Sequence, residues 1–252
     1  MSHTEAPDLP GVTLSEDGEV RYLHLGTEWV QGTMLIDQPF DIELEYVQRM
    51  MVWLLFVEPD SVTQRRAMQL GLGAAALTKF CFKKLRMDTT AVDINPQVIA
   101  ACRTWFKLPP DSARLRVMLG DAAEVAAYAP FHGTVDALQV DLYDDEAAAP
   151  VLDSADFYAD CRRLLTDEGA MTVNLFGRRA SYERSLGHIR EAFGDAAVWA
   201  FRPTREGNTV VLALRNPQHP ERLQLLARAE AVQARWGLPA RKWLKVFKAL
   251  QA

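Results

Sequence analysis

The sequence predicts an α/β protein: a mostly parallel sheet with helices on both faces, preceded by a small N-terminal antiparallel β-sheet. Three observations predict it. Short, near-continuous apolar runs alternate with helix-forming runs from about Arg66 to Leu214, which is how strands buried on both faces of a parallel sheet read. The stretch Ala67–Asp93 is a complete βαβ unit with a glycine turn after its first strand and an acid at the end of its second. Residues 12–37 alternate instead, with turn residues between short runs, which is a meander signal.

In order, residues 1–11 are polar and Pro-containing and are expected to be a loose tail. Val20, Tyr22, His24, Met34 and Ile36 mark strands of the small sheet, with turns expected at Asp17-Gly18 and near Gly32. Leu44, Val47, Met51, Leu54 and Leu55 recur at helical spacing, so Ile42–Val57 is expected to be a helix closing a first region, residues 12–58. Pro59-Asp60-Ser61 breaks the chain before the main domain, residues 59–216.

That domain opens with a strand at Met68–Leu70, a Gly71-Leu72-Gly73 turn and a helix expected over Ala74–Leu85. The glycines let backbone N–H groups approach a ligand, and the helix start adds partial positive charge. Thr89–Val92 is the second strand, ending on Asp93. Asn95 caps the next helix, with Pro96 in its first turn. Leu115–Leu119 is the third strand, closed by Gly120-Asp121, and Ala122–Tyr128 a short helix. Thr134–Leu142 is the fourth strand, running into Asp141, Asp144, Asp145 and Glu146. Ser154 or Asp153 caps a helix to Leu165, and Ala170–Phe176 is the fifth strand. A helix over Ser181–Phe193 precedes two strands, Ala197–Arg202 and Thr209–Leu214, joined by a hairpin at Arg205-Glu206-Gly207-Asn208. Residues 217–252 read as two helices around Gly237-Leu238-Pro239, docked by Trp236, Trp243 and Phe247.

Bulk properties narrow the function classes. The chain has 252 residues, 49% apolar and 24% charged, with a net charge of −5 and no dense basic block, so nucleic acid is not an expected partner. No apolar run reaches membrane-spanning length. Cys81, Cys102 and Cys161 are far apart in apolar contexts, which fits reduced buried thiols in a cytoplasmic protein better than a metal site or disulfides. His24, His132 and His188 stand in no triad-like context and no G-x-S-x-G elbow occurs, so a hydrolase is disfavoured.

The acids carry the functional reading. In open α/β sheets, ligands bind beyond the carboxyl ends of the strands, and Asp93, Asp121 and Asp141 all stand at such ends. Asp93 can accept from a ribose diol. Asp121 either caps the helix that Ala122 opens or accepts from an adenine amino group. With Gly71 and Gly73 for an aminoalkyl tail, these strand ends describe a site for an adenosyl ligand of the S-adenosylmethionine type. Asp141 and Asp144 then face the reacting end. A sulfonium donor is electrophilic by itself, so no metal is expected. A protonated amine acceptor must lose its proton first, which Asp141 can accept, while Tyr46 and Asp144 orient the amine. Tyr46 reads equally well as a packed residue on a helix face, and Met50 and Met51 as core.

In order, Leu70-Gly71-Leu72-Gly73, Val92-Asp93-Ile94-Asn95-Pro96, Gly120-Asp121-Ala122 and Val140-Asp141-Leu142-Tyr143-Asp144 resemble the spermidine synthase (polyamine aminopropyltransferase) family. Met34-Leu35-Ile36-Asp37, Glu45-Tyr46 and Phe157-Tyr158 continue the resemblance, which runs from about Val20 to Leu214. It implies a small β-domain before a Rossmann-like, class I methyltransferase-like domain, decarboxylated S-adenosylmethionine as donor, a diamine acceptor and a homodimer. Three positions depart from the family's pattern. Ala74 replaces an Asp in the glycine loop, Val47-Gln48 replaces His-Glu, and Asp145 replaces a Pro after Asp144. A lost carboxylate at the tail site leaves room for a donor that keeps its own. A methyltransferase using intact S-adenosylmethionine, and a non-catalytic nucleoside-binding protein, are therefore the alternative readings.

Overall fold

A computed structural model describes residues 9–143, 152–177 and 179–250. β1 (Val12–Asp17), β2 (Val20–Leu25) and β3 (Val30–Leu35) form an antiparallel meander. Its first turn sits at Asp17-Gly18 as expected, with Asp17 paired to Val20. Gly32 is not in a turn. It lies inside β3 opposite Leu23, and a Cβ there would come within 2.5 Å of the Ala74 nitrogen. Its role is close backbone approach between this sheet and the glycine turn.

The main sheet contains β4 (Arg66–Leu70), β5 (Asp88–Asp93), β6 (Leu115–Leu119), β7 (Val135–Val140), β8 (Leu165–Leu175), β9 (Val198–Phe201), β10 (Thr209–Leu214) and β11 (Phe247–Ala249). Its order is β11-β9-β10-β8-β7-β4-β5-β6. The five strands β4 to β8 are mutually parallel. β10 runs antiparallel to both β8 and β9, so the closing hairpin does insert a reversed strand. The segment expected to be purely helical adds β11 beyond α7 (Arg222–Trp236) and a short helix at Ala240–Trp243. Phe247 docks by joining the sheet edge against Trp199 and Phe201.

The crossovers carry α2 (Ala76–Lys79), α3 (Pro96–Thr104), α4 (Ala122–Ala127), α5 (Ala155–Leu164) and α6 (Arg179–Phe193). Caps fall where the sequence puts them. Asn95 accepts from Gln97 N at 2.9 Å and Ser154 from Phe157 N at 3.1 Å.

Two helices are shorter than their periodicity predicts. Ile42–Val57 is split into α1 (Glu45–Arg49) and a tighter 3₁₀ segment, Val52–Phe56. Every residue from Met50 to Val57 is buried. An all-apolar run has no solvent face for a regular helix to present, and donors from elsewhere bond its carbonyls: Thr172 Oγ1 to Met50 O and Arg228 to Leu55 O. Ala74–Leu85 shrinks to the four residues of α2 and a wider π turn at Phe80–Lys84. Residue 75, at its start, is left-handed, with φ +57°.

A second core cluster joins Leu23 and Met34 of the small sheet to Leu72, Ala74, Val98, Cys102 and Phe106. The two sheets therefore share packing around the glycine turn.

Candidate active site

At the carboxyl edge of the parallel strands, capped by the small sheet, lies a cavity of about 880 Å³. Gly71, Gly73, Asp93, Asp121, Ala122, Asp141 and Tyr46 all line it. The sequence groups them, and the fold brings them together. Asp144 lies outside the described residues. His24, His132 and His188 are not among the lining residues.

The glycine turn is shaped by contact as much as by conformation. Gly71 has φ +91° and Gly73 +49°. A Cβ on Gly71 would sit 2.1 Å from the Asp141 carbonyl oxygen. The turn after β4 and the segment after β7 thus cross with no room for a side chain, and Asp141 N donates to Leu70 O at 2.9 Å just before the crossing. Ala74, where the resemblance leads one to expect a carboxylate, packs on Gly32 and does not line the cavity.

Asp93 ends β5 with both oxygens already engaged. Oδ2 accepts from Leu72 N at 2.9 Å, and Oδ1 from Asn95 N at 2.8 Å. A carboxylate has about four lone-pair sites, so two remain for a diol. Burial raises its pKa, and the two N–H donors pull it back. Asp121 is an N-cap, with Oδ1 accepting from Ala123 N at 2.7 Å, and it also lines the cavity. The two readings of Asp121 are geometrically compatible. Ile94, about half exposed, gives this end of the cavity an apolar surface.

Asp141 anchors the other end. Its Oδ1 accepts from Asn174 Nδ2 at 2.9 Å, and the Tyr46 hydroxyl is a second hydrogen-bond partner. Burial lifts the carboxyl to about 6, while the Asn174 and Tyr46 hydrogen bonds favour the anion. Burial and the neighbouring Asp141 charge hold the Tyr46 phenol protonated, well above its usual range. Tyr46 is therefore at the site, whereas Met50 and Met51 are fully buried core.

Sequence reasoning missed several lining residues. Asn174 interrupts the apolar strand Met-Thr-Val-Asn-Leu, and Asn is depleted in strands, so it carried a signal. Asn208 was legible only as a hairpin residue. Glu43 and Glu206 had no signal, since nothing local distinguishes them from solvated acids. Residues 9 and 10, placed in a loose tail, line the cavity, and Pro10 O accepts from Asn95 Nδ2 at 3.0 Å.

No family model matches the chain. Among curated relatives, the polyamine aminopropyltransferase of Neisseria meningitidis is 33% identical over 246 residues, covering 96% of this chain and 90% of that protein. The chain belongs to the polyamine aminopropyltransferase family. Solved structures support the fold. A probable spermidine synthase from Corynebacterium glutamicum matches with a TM-score of 0.75 at 18% identity, covering 95% of this chain and 87% of that one. Human methyltransferase-like protein 13 in complex with SAH matches at 0.69 and 21% identity, covering 77% and 93%.

As a member of the polyamine aminopropyltransferase family, the chain belongs to a family of transferases; Val47-Gln48 is one of the positions where the resemblance leads one to expect other residues. Gln48 donates to Ile42 O at 2.8 Å and steadies the loop before α1 instead of lining the cavity. Among the described residues no group of three or more His, Cys, Asp or Glu is placed to hold a metal ion. Nor is any helix among them long and apolar enough to cross a membrane.

Proposed function

We propose that this chain transfers an aminopropyl group from decarboxylated S-adenosylmethionine to an amine acceptor. One observation carries the choice of donor: the charge of the cavity wall. Glu28, Glu43, Glu45, Asp93, Asp121, Asp141 and Glu206 line it, and among the described residues no Lys, Arg or His does. Glu45 is paired with Arg49 behind the wall, which leaves the rest uncompensated by any lining cation. Such a surface suits a sulfonium, a primary ammonium tail and a protonated amine. An intact donor would bring a carboxylate with no cation to receive it, and like charges brought together cost several kcal/mol.

The roles follow from position. Gly71 and Gly73 give the donor's tail close access to the backbone, Asp93 takes the ribose hydroxyls, and Asp121 with Ala122 takes the adenine edge. Asp141 removes one proton from the acceptor ammonium. The freed nitrogen lone pair attacks the propyl carbon beside sulfur. The C–S bond breaks with its electron pair going to sulfur, the C–N bond forms, and the sulfonium charge disappears. Tyr46, hydrogen-bonded to Asp141, orients the amine, and Asp144 is assigned to the same end.

The test is calorimetric titration with the intact and decarboxylated donors side by side, followed by mass analysis of products from an amine panel. The decarboxylated donor is expected to bind at least tenfold tighter, about 1.4 kcal/mol, with an aminopropyl group added to a polyamine precursor. Tighter binding of the intact donor, with a methyl group transferred, would replace this reading by the methyltransferase one. Transfer to no amine from either donor would move the non-catalytic reading ahead. We further place the chain in the cytoplasm as a homodimer. Three buried free thiols favour a reducing compartment, and the dimer is carried by the resemblance alone.

A further inference from the structure

We propose that Asn174 and Asn208 are positioning residues that aim and ionise Asp141 through a directed chain of amide hydrogen bonds. This rests on the role given above to Asp141 as proton acceptor. Asn208 Nδ2 donates to Asn174 Oδ1 at 3.1 Å, and Asn174 Nδ2 donates to Asp141 Oδ1 at 2.9 Å. The polarity is fixed at the Asp141 end. An ionised carboxylate only accepts, so the Asn174 amide must present its nitrogen to Asp141 and its oxygen to Asn208. Asn208 thus locks the orientation in which Asn174 stabilises the anion.

Both amides sit on rigid backbone. Asn174 lies near the end of β8, paired with Val210. Its carbonyl accepts from the Tyr143 hydroxyl at 2.9 Å, and that hydroxyl accepts in turn from Phe176 N. Asn208 closes the β9–β10 hairpin, where Thr204 N donates to Asn208 O at 2.8 Å and Asn208 N to Thr204 Oγ1 at 3.2 Å. The titratable groups against Asp141 are Tyr46 from α1 and Tyr143 from the segment after β7, both phenols held neutral by burial. Other carboxylates of the same cavity include Glu45, Asp93 and Glu206. The chain also links the Asp141 oxygen that Asn174 holds to a hairpin whose Glu206 lines the same cavity, so the hairpin's seating and the base's aim are one arrangement.

The experiment reads Asp141 directly, without turnover. The infrared carboxyl band that Asp141→Asn removes is titrated in the wild type, Asn174→Ala, Asn174→Asp and Asn208→Ala. Losing a hydrogen bond to the charged form raises a carboxyl's titration midpoint. Asn174→Ala is expected to raise it by about one pH unit, and Asn174→Asp, nearly isosteric but with a like charge, by more. Asn208→Ala raises it less, because the Asn174 amide then turns freely. The acid limb of kcat/KM moves with the band in each variant, and activity recovers at pH values above the new midpoint. Asn174 as mere packing predicts an unmoved midpoint in Asn174→Ala and Asn208→Ala, whereas the like charge alone raises it in Asn174→Asp. An unmoved band in folded Asn174→Ala overturns the proposal. Should that variant not fold, an unmoved band in Asn208→Ala overturns it. Full turnover in Asp141→Asn would instead defeat the base assignment and leave the band titration to stand by itself.

Discussion

Replacing Asp141 by Asn is expected to abolish most turnover and at the same time stabilise the fold. The carboxyl titrates at about 6 against 3.8 for an ordinary aspartate, with burial the largest cause. A rise of that size corresponds to about 3 kcal/mol that the folded state loses on ionising the group. Solvent reaches the cavity side of the carboxylate, which is only partly buried by surface area, and screening reduces the figure to about 1–2 kcal/mol. The Asn side chain retains an acceptor for Asn174, and its amide can donate to the Tyr46 hydroxyl, so little is lost in exchange. The sign follows from linkage. The folded-state midpoint lies above the unfolded one, so between about pH 4 and pH 6 the native chain binds more protons, and wild-type stability falls as pH rises through that window. Above pH 6 the loss is complete. Asn never ionises, so its advantage is small near pH 4 and full at pH 8. For a chain of this length that advantage is a Tm increase of roughly 2–8 °C at pH 8 and less at pH 5. Turnover should fall by about 10²–10⁴-fold, the range for a lost general base, with donor affinity retained. Scanning calorimetry at the two pH values and initial rates at saturating substrates are the assays. A variant less stable than wild type at pH 8, or an advantage that does not grow with pH, would refute the idea that a costly buried charge is held there for chemistry.

Asp93→Ala should lower donor affinity at least tenfold and also cost about 1–3 kcal/mol of stability, because Leu72 N and Asn95 N lose their acceptor; titration calorimetry with thermal melts reads both. Asp121→Ala should cost about 1 kcal/mol as a lost cap, and its affinity loss should be larger for an adenosyl ligand than for an analogue without the adenine amino group. Equal losses would leave only the cap. Gly71→Ala should be among the worst substitutions, losing about 2–5 kcal/mol from left-handed strain and a collision with the Asp141 carbonyl. If its melting temperature and donor affinity both match the wild type, the tight crossing of the two loops is wrong.

What was legible in the sequence was local. The turn at Asp17-Gly18, the caps at Asn95 and Ser154 and the acids at strand ends each announce themselves within a few residues, because caps and turns are short-range hydrogen-bond chemistry. The misreadings lie where distant contacts decide. Gly32 resembles a turn residue until Ala74 is seen against it. The run from Ile42 to Val57 has helical periodicity, but residues from Met50 onward are buried all round and its carbonyls find partners in Thr172 and Arg228. Asn174 is a propensity violation within a strand, and its reason lies 33 residues earlier, at Asp141. Violations of local preference in an otherwise consistent strand mark places where something other than the fold is being served.

The departures from the family's sequence pattern bear on the donor less than they first suggest. A carboxylate missing at Ala74 would matter if that side chain faced the ligand, but it packs on Gly32 outside the cavity lining. The acid character of the cavity is spread over other elements: Glu28 from the β2–β3 loop, Glu43 and Glu45 around the start of α1, and Glu206 from the β9–β10 hairpin. A motif records acids at fixed spacings along the chain. A ligand meets only their sum over a surface, and field strength in a low-dielectric cavity depends on that sum. Acids supplied from three separate places can therefore replace one lost from a loop without leaving a recognisable pattern. The proposed preference for a carboxylate-free donor thus rests on the wall of the cavity and not on the glycine loop. It also names the discriminating substitution. Glu43→Gln combined with Glu206→Gln removes two wall charges that are not strand-end acids and should narrow the affinity gap between the two donors. A gap that stays constant would return the choice of donor to the loop.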